Sequence, residues 1–389
     1  MKVLHLITVN AIGGAEKLMP LFLPAQQKAG LEVHCLLLYH KNYTIDPVNE
    51  TAGQLEKHGI KYFIIKCNSI YDRAAKNEIA GIINNNKYQL VHSHLKYADF
   101  FLSRLKRKKQ INIPVVSTMH GYRDSYQNKF GLNIRRQLYF SGYYWLTKFI
   151  FNQLDGYVFI SACMKNFYSQ AGLLRNRLNT IIHHGYPRED FNIYKERFSS
   201  NRIVSPSVGL PGRLIKMKGH RYAIDAIGKL LKEYPEISLH IFGSGPEEEA
   251  IRLHVNQAGL GDHVIFYGYV NDLNTRLKIM DIILVPSSGE AFGIVFLEAF
   301  AAGVPVVAFD LPAGNEIIED GYNGLLAEPQ NTDSLAMKID KLCTERELYL
   351  KIRDQAFISL KEKFSLKRMV ADYNGFYASV LEKDRERNG

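Results

Sequence analysis

Apolar residues in this chain fall in short runs, each followed by a longer segment where they recur three and four positions apart. The first run, Val3-Leu4-His5-Leu6-Ile7, reads as a strand that turns through Asn10-Ala11-Ile12-Gly13-Gly14. A helix is expected from about Ala15 towards Ala29, with Gly30 as its stop. Further strands are expected at residues 33–39, 62–65, 90–93, 115–119 and 157–160, with helical segments between most of them. This alternation implies a parallel sheet with helices on both faces. The pattern restarts after the turn-rich Ile181-Ile182-His183-His184-Gly185-Tyr186-Pro187-Arg188-Glu189-Asp190, with strands expected at 204–210, 238–242, 264–267, 282–285 and 305–308. The expected architecture is α/β, with two doubly wound, Rossmann-like domains, 1–184 and 185–364, facing a central cleft. The helical pattern of 365–389 is expected to return to the first domain.

The densest run is Pro286-Ser287-Ser288-Gly289-Glu290-Ala291-Phe292-Gly293-Ile294-Val295-Phe296-Leu297-Glu298-Ala299-Phe300, after the strand Ile282-Ile283-Leu284-Val285. It predicts a turn and then a helix from about Ile294 to Ala302, stopped by Gly303. Between Asp281 and Asp310 the charged side chains are Glu290 and Glu298 alone. A carboxylate among Val295, Phe296, Leu297, Ala299 and Phe300 costs several kcal/mol, roughly, unless something satisfies it. One reading is a core glutamate tied to a backbone amide or an arginine. The other sets both carboxylates at the carboxyl end of a strand, where open α/β sheets bind ligands, facing a molecule rich in hydroxyl groups.

Length and charge narrow this further. At 389 residues two domains are the default, and 46% hydrophobic content is that of a globular chain without a membrane-spanning run. The opening strand carries His5 and is followed by no small-residue cleavage site, a poor match to a signal peptide. Cys35, Cys67, Cys163 and Cys343 have no metal-type spacing, which favours a reduced, cytoplasmic protein without structural zinc. Residues 1–200 hold 27 basic and 13 acidic side chains (+14), the remainder 22 and 26 (−4). A basic front half suits an anionic partner: a phospholipid surface, a phosphorylated acceptor or nucleic acid. No nucleic-acid-binding motif accompanies it, so nucleic acid is not expected.

Several turns carry candidate chemistry. Gly13-Gly14 opens a helix, where backbone N–H groups bind anions. Neither this turn nor Phe242-Gly243-Ser244-Gly245-Pro246 completes a dinucleotide fingerprint, which disfavours an NAD enzyme. In Gly212-Arg213-Leu214-Ile215-Lys216-Met217-Lys218-Gly219, Arg213 and Lys218 stand between a strand and the next helix. Two cations there suit a diphosphate, through charge-assisted hydrogen bonds of roughly 1.5–3 kcal/mol each. His120 follows the strand Val115-Val116-Ser117-Thr118-Met119 at an expected cleft edge, while His92, His94 and His120 lack metal-ligand spacing.

Taken together, Glu290 and Glu298, Gly212-Arg213-Leu214 with Lys218-Gly219, Gly243-Ser244-Gly245-Pro246, Gly13-Gly14-Ala15-Glu16 and Thr118-Met119-His120-Gly121 resemble glycosyltransferase family 4. The family comprises retaining enzymes of the GT-B fold, and the resemblance is strongest from Val208 to Leu326. It implies a nucleotide-diphosphate sugar as donor, a glycan or lipid-linked acceptor, and no cofactor or metal. Glu290 would hold hydroxyls of the donor sugar, Glu298 the ribose, and Arg213 and Lys218 the leaving diphosphate. His120 would contact the sugar near the reacting carbon. Gly13 and Gly14 would face the diphosphate and acceptor. Gly243, Ala291, Phe292 and Gly293 complete the implied donor-binding set. Two departures are Ala291, where the family usually has Gly, and His184, where an Asn commonly precedes the linker Gly. A nucleotide-sugar epimerase or a phosphorylase would share the phosphate site, and a non-enzymatic nucleic-acid binder is the alternative from another class.

Arg104-Leu105-Lys106-Arg107-Lys108-Lys109 ends a helix of the front half. Later, Ile134-Arg135-Arg136-Gln137-Leu138-Tyr139-Phe140 leads into Tyr143-Tyr144-Trp145-Leu146-Thr147-Lys148-Phe149-Ile150-Phe151. Aromatic rings beside cations suit a bilayer interface; a helix packed on the sheet is the other reading. The expected setting is cytoplasmic, peripheral at the inner face of a membrane, in polysaccharide or lipopolysaccharide synthesis.

Overall fold

The apolar runs become two all-parallel sheets in the computed structural model, which describes residues 1–10, 13–121, 142–174, 177–187 and 202–388. The first sheet has strands β1 Lys2–Thr8, β2 Glu32–His40, β3 Lys61–Cys67, β4 Leu90–His94, β5 Val115–Met119, β6 Gly156–Phe159 and β7 Leu178–Ile181. Their spatial order is β3-β2-β1-β4-β5-β6-β7. The second comprises β8 Ser207–Pro211, β9 Ser238–Phe242, β10 Val264–Phe266, β11 Ile282–Val285, β12 Val306–Phe309 and β13 Leu325–Ala327, in the order β10-β9-β8-β11-β12-β13. Helices cover both faces, so central strands such as β4 and β11 are buried along their whole length.

Residues Met1–His184 with Leu366–Gly389 form one compact unit and Gly185–Ser365 the other. The C-terminal helix, Leu366–Asn388, belongs to the first unit. It sends Phe376 against β6, where a side chain on Gly156 would lie 3.0 Å from the Phe376 ring. β7 and β13, which the apolar pattern does not reveal, are short edge strands.

Each sheet reverses its strand order once, between β1 and β4 in the first and between β8 and β11 in the second. Connections leave such a point in opposite directions and open a crevice at the carboxyl ends of the two strands. At the second reversal the register pairs Ile282 with Val208 and Ile283 with Gly209. The turns after β8 and β11 therefore emerge side by side. The helix Ile294–Ala302 follows β11 and ends on Gly303 in the left-handed conformation. It is apolar on nearly every side because the fold surrounds it.

Candidate active site

Three loops of the second unit are joined through their backbones. Gly212 N–H donates to Phe242 O (2.9 Å), Leu214 N–H to Ser244 O (3.0 Å) and Ser288 N–H to Met217 O (2.8 Å). Two glycines permit this. At Gly219 (φ +71°) a Cβ would stand 1.8 Å from Pro286 O, and at Gly243 (φ +144°) 2.0 Å from Gly212 O. Gly219→Ala is expected to destabilise this unit by about 2–4 kcal/mol, since it adds a clash with backbone to a left-handed φ. Urea unfolding measures this, and an unchanged midpoint would remove the claim that the loops are held this closely.

The joined loops bring Lys218 to Glu290. Lys218 Nζ lies 2.5 Å from Glu290 Oε1, and Ser287 Oγ donates to the same oxygen at 2.8 Å. The two side chains keep 19% and 11% of their exposure, so the pair is shielded yet reachable. Arg213, on the same turn as Lys218, is exposed, and its guanidinium makes no hydrogen bond or ion pair among the described residues. Glu298 is half-buried on the helix, two turns beyond Glu290. Gly243 directly follows β9, Ala291 is half-buried, and Gly293 (φ +92°) caps the start of the helix. The side chain of Phe292 is core, edge-on to Phe364 at 6.2 Å, so only its backbone is left for a ligand.

Sequence reading passed over His220, which directly follows Lys218-Gly219. It is 3% exposed, and neither ring nitrogen has a hydrogen-bond partner. Burial, helped by the Lys218 charge, lowers its pKa to about 4.

At the reversal of the first sheet, Gly13 departs from expectation. Its N–H is already donated to Glu16 Oε2 at 3.0 Å, so a carboxylate closes the turn where bare donors were expected for an anion. Ala11 and Ile12 lie outside the described residues. Gly14 begins the helix Gly14–Lys28.

His120, directly after β5, belongs to a larger histidine group than the sequence revealed. His5 on β1 pairs in register with His92 on β4, so His5, His92 and His94 point to one face of the sheet. His5 Nδ1 and His94 Nε2 are 3.0 Å apart, and His94 Nδ1 and His120 Nε2 2.9 Å. The rings of His120 and His184 stack at 5.5 Å. Burial keeps these rings neutral, lowering the pKa of His5 and of His120 to about 3 and those of His92, His94 and His184 well below the usual range. Ring nitrogens of His5, His92 and His94 lie within 4.8 Å of one another, a set able to hold a metal. The nitrogens of His92, however, are engaged by Tyr377 OH (2.6 Å) and Thr118 Oγ1 (2.7 Å), which makes the group a hydrogen-bonded network.

The basic helix end also differs from expectation. Lys106 is bound to Asp155 (2.7 Å) and to Ile113 O (3.3 Å), leaving Arg107, Lys108 and Lys109 exposed. The aromatic segment forms the helix Gly142–Gln153, and Phe151 stacks on Tyr157 of β6 at 4.1 Å. Trp145 remains exposed beside Lys148. Ile134-Arg135-Arg136-Gln137-Leu138-Tyr139-Phe140 and Arg188-Glu189-Asp190 lie outside the described residues. No helix among the described residues is long and apolar enough to cross a membrane.

Two parallel-sheet, Rossmann-like units define a GT-B glycosyltransferase fold. The solved structure of Anabaena HepE in complex with UDP-glucose superimposes with a TM-score of 0.79 at 20% identity, covering 97% of this chain and 100% of that one. Residues 12–190 match the model of glycosyltransferase family 4, and residues 194–358 that of the glycosyl transferases group 1. The chain belongs to glycosyltransferase family 4. A Haemophilus influenzae protein named an uncharacterized glycosyltransferase is 29% identical over 47% of this chain and 57% of its own length. The poly(glycerol-phosphate) alpha-glucosyltransferase of Bacillus subtilis is 27% identical over 67% of this chain and 37% of its own length. The chain thus spans only part of the length of these two relatives.

Proposed function

We propose that the protein transfers a hexose-type sugar from a nucleoside-diphosphate sugar to a hydroxyl group of a glycan or lipid-linked acceptor, with retention of configuration and without a metal. The observation that carries this reading is the Lys218–Glu290 pair, held by Ser287 at the crevice between β8 and β11. Breaking the bond from sugar to phosphate builds negative charge on the departing diphosphate and positive charge on the sugar ring. Lys218 and Arg213 stabilise the first, and Glu290 lies beside them to accept hydrogen bonds from sugar hydroxyls. Glu298, further along the helix, takes the ribose. Support for the donor class comes from UDP-glucose in the HepE complex, and for a cell-surface polymer from the Bacillus relative. Arg107, Lys108 and Lys109 would favour an anionic membrane where a lipid-linked acceptor resides.

The test is calorimetric titration with UDP-, GDP- and ADP-sugars, followed by transfer assays with the tightest binder in excess EDTA. Binding of a nucleotide sugar and undiminished transfer are expected. Absence of binding by all three classes would refute the donor assignment. Loss of turnover in EDTA, restored by magnesium or manganese, would refute metal independence.

A further inference from the structure

A second group of rings in the first unit reaches solvent. His40 ends β2, and its backbone N–H donates to Oδ1 of Asn10, two residues past β1, at 3.1 Å. Ala98 lies in the first turn of the helix Lys96–Arg107, which follows β4, and its N–H donates to Thr8 Oγ1 at 3.2 Å. The chain leaving β1, β2 and β4 is therefore tied together at the carboxyl edge of the sheet, where the strand order reverses and a crevice opens. On this edge the His40 ring meets Tyr43 with centroids 6.3 Å apart at 77°, and Tyr97 at 6.1 Å and 68°. Tyr43 is 51% exposed and Tyr97 36%, so neither ring is spent on the core. Between His94 and Tyr97 the chain passes through Leu95 at φ +71° and ψ 152°, a conformation otherwise left to glycine. Backbone strain of this kind gathers at turns that hold ligands.

The polar atoms of this group are uncommitted. Asn42 N–H donates to His40 Nδ1 at 3.2 Å, and a backbone N–H cannot accept, so the neutral imidazole carries its proton on Nε2. That Nε2–H and the hydroxyls of Tyr43 and Tyr97 make no hydrogen bond among the described residues. The group thus presents aromatic rings, one fixed N–H donor and two hydroxyls that donate or accept. A pyranose matches this mixture, since C–H bonds cover one face of its ring and hydroxyl groups line its edge. An acyl chain would cover the rings but leave the donor and both hydroxyls unpaired. We propose that His40, Tyr43 and Tyr97 form a platform for one sugar ring of a glycan acceptor, its C–H face against a tyrosine and a hydroxyl group on His40 Nε2–H. That the sugar belongs to the acceptor rests on the transferase reading above; the binding of a sugar ring there does not.

The test is saturation-transfer NMR and calorimetry on the full chain with maltotriose, cellotriose and chitotriose as probes. At least one trisaccharide is expected to bind, with saturation strongest on the C–H protons of a single ring. Tyr43→Ala and Tyr97→Ala should each weaken that binding about threefold to tenfold. His40→Phe keeps a ring but removes the N–H, and should weaken it by a similar factor. Both tyrosines lie at the surface, so thermal midpoints should hold while affinity falls. A wild-type protein that binds none of the three probes overturns the proposal, whether or not the variants fold. So do folded variants that keep full affinity, and so does displacement of the trisaccharide by UDP-glucose, which would put the sugar in the donor site. Sugar transfer with an unchanged acceptor KM in all three variants overturns the platform and leaves the transferase reading standing. Binding that the variants weaken, in a protein that transfers no sugar, supports the platform and refutes only the transferase reading.

Discussion

Glu290→Gln is expected to lower turnover by about 10²–10³-fold while nucleoside-diphosphate binding stays constant or tightens. Glu290 Oε1 sits 2.5 Å from Lys218 Nζ, so it partly neutralises the cation proposed to receive the diphosphate. Removing the carboxylate leaves one more net positive charge facing the anion, which favours binding. It also replaces one of the two charged oxygens proposed to accept from the sugar hydroxyls with an amide donor, where shape and charge change during reaction. Lys218→Ala should lower both turnover and affinity. Glu298→Gln should weaken affinity with little change in turnover, because the ribose does not react. Titration of free diphosphate and turnover assays on the three variants separate these outcomes. Equal weakening of diphosphate binding by Glu290→Gln and Glu298→Gln would contradict this division of roles. Normal binding and turnover in both, with easier unfolding, would return Glu298 to a purely structural place in the core.

Acid should unfold the first unit before the second. A histidine held near pKa 3 when folded and 6.5 when unfolded binds fewer protons in the folded state between those values, so its share of stability is lost as pH falls through that window. At pH 5 the loss is about 2 kcal/mol for each such group. His5 and His120 together account for about 4 kcal/mol on that scale. His92, His94 and His184 act in the same direction. On the opposite face Asp99, raised to about 6 by burial and bonded to Ser117, acts the other way. It regains only about 1 kcal/mol over the same range. Arg368, which lowers the pKa of His184, adds to the loss. Against the ~5–15 kcal/mol of a typical domain, the balance removes a substantial share of the first unit's stability by pH 5. Calorimetry from pH 7.5 to 4.5 should show the first unit's transition falling steeply. A transition that does not move would show that the histidines are solvated.

Much of the candidate site was legible because its signals are local. Arg213, Lys218 and Gly219 lie within one turn, and the pairing of Glu290 with Glu298 in an otherwise uncharged segment was visible without knowledge of contacts. The helix Ile294–Ala302 and its glycine stop followed from pattern and capping rules. The histidine network was not legible, since its members come from β1, β4, β5 and the stretch after β7. Taken singly, His5 and His184 read as a polar interruption of a strand and a departure in the linker.

By itself the sequence determined two alternating α/β halves, a division near residue 185, the charged turn ahead of the helix at His220 and the membership of a glycosyltransferase family. Strand and helix periods, capping residues and short motifs all act over a few residues, so they survive in a linear reading. The tertiary structure alone decided that Glu290 meets Lys218 across 72 positions, that Glu16 closes the Gly13 turn and that Lys106 is tied to Asp155. Those pairings depend on strand order in a parallel sheet, where neighbours such as β1 and β4 are brought together by crossover connections rather than by proximity in the chain.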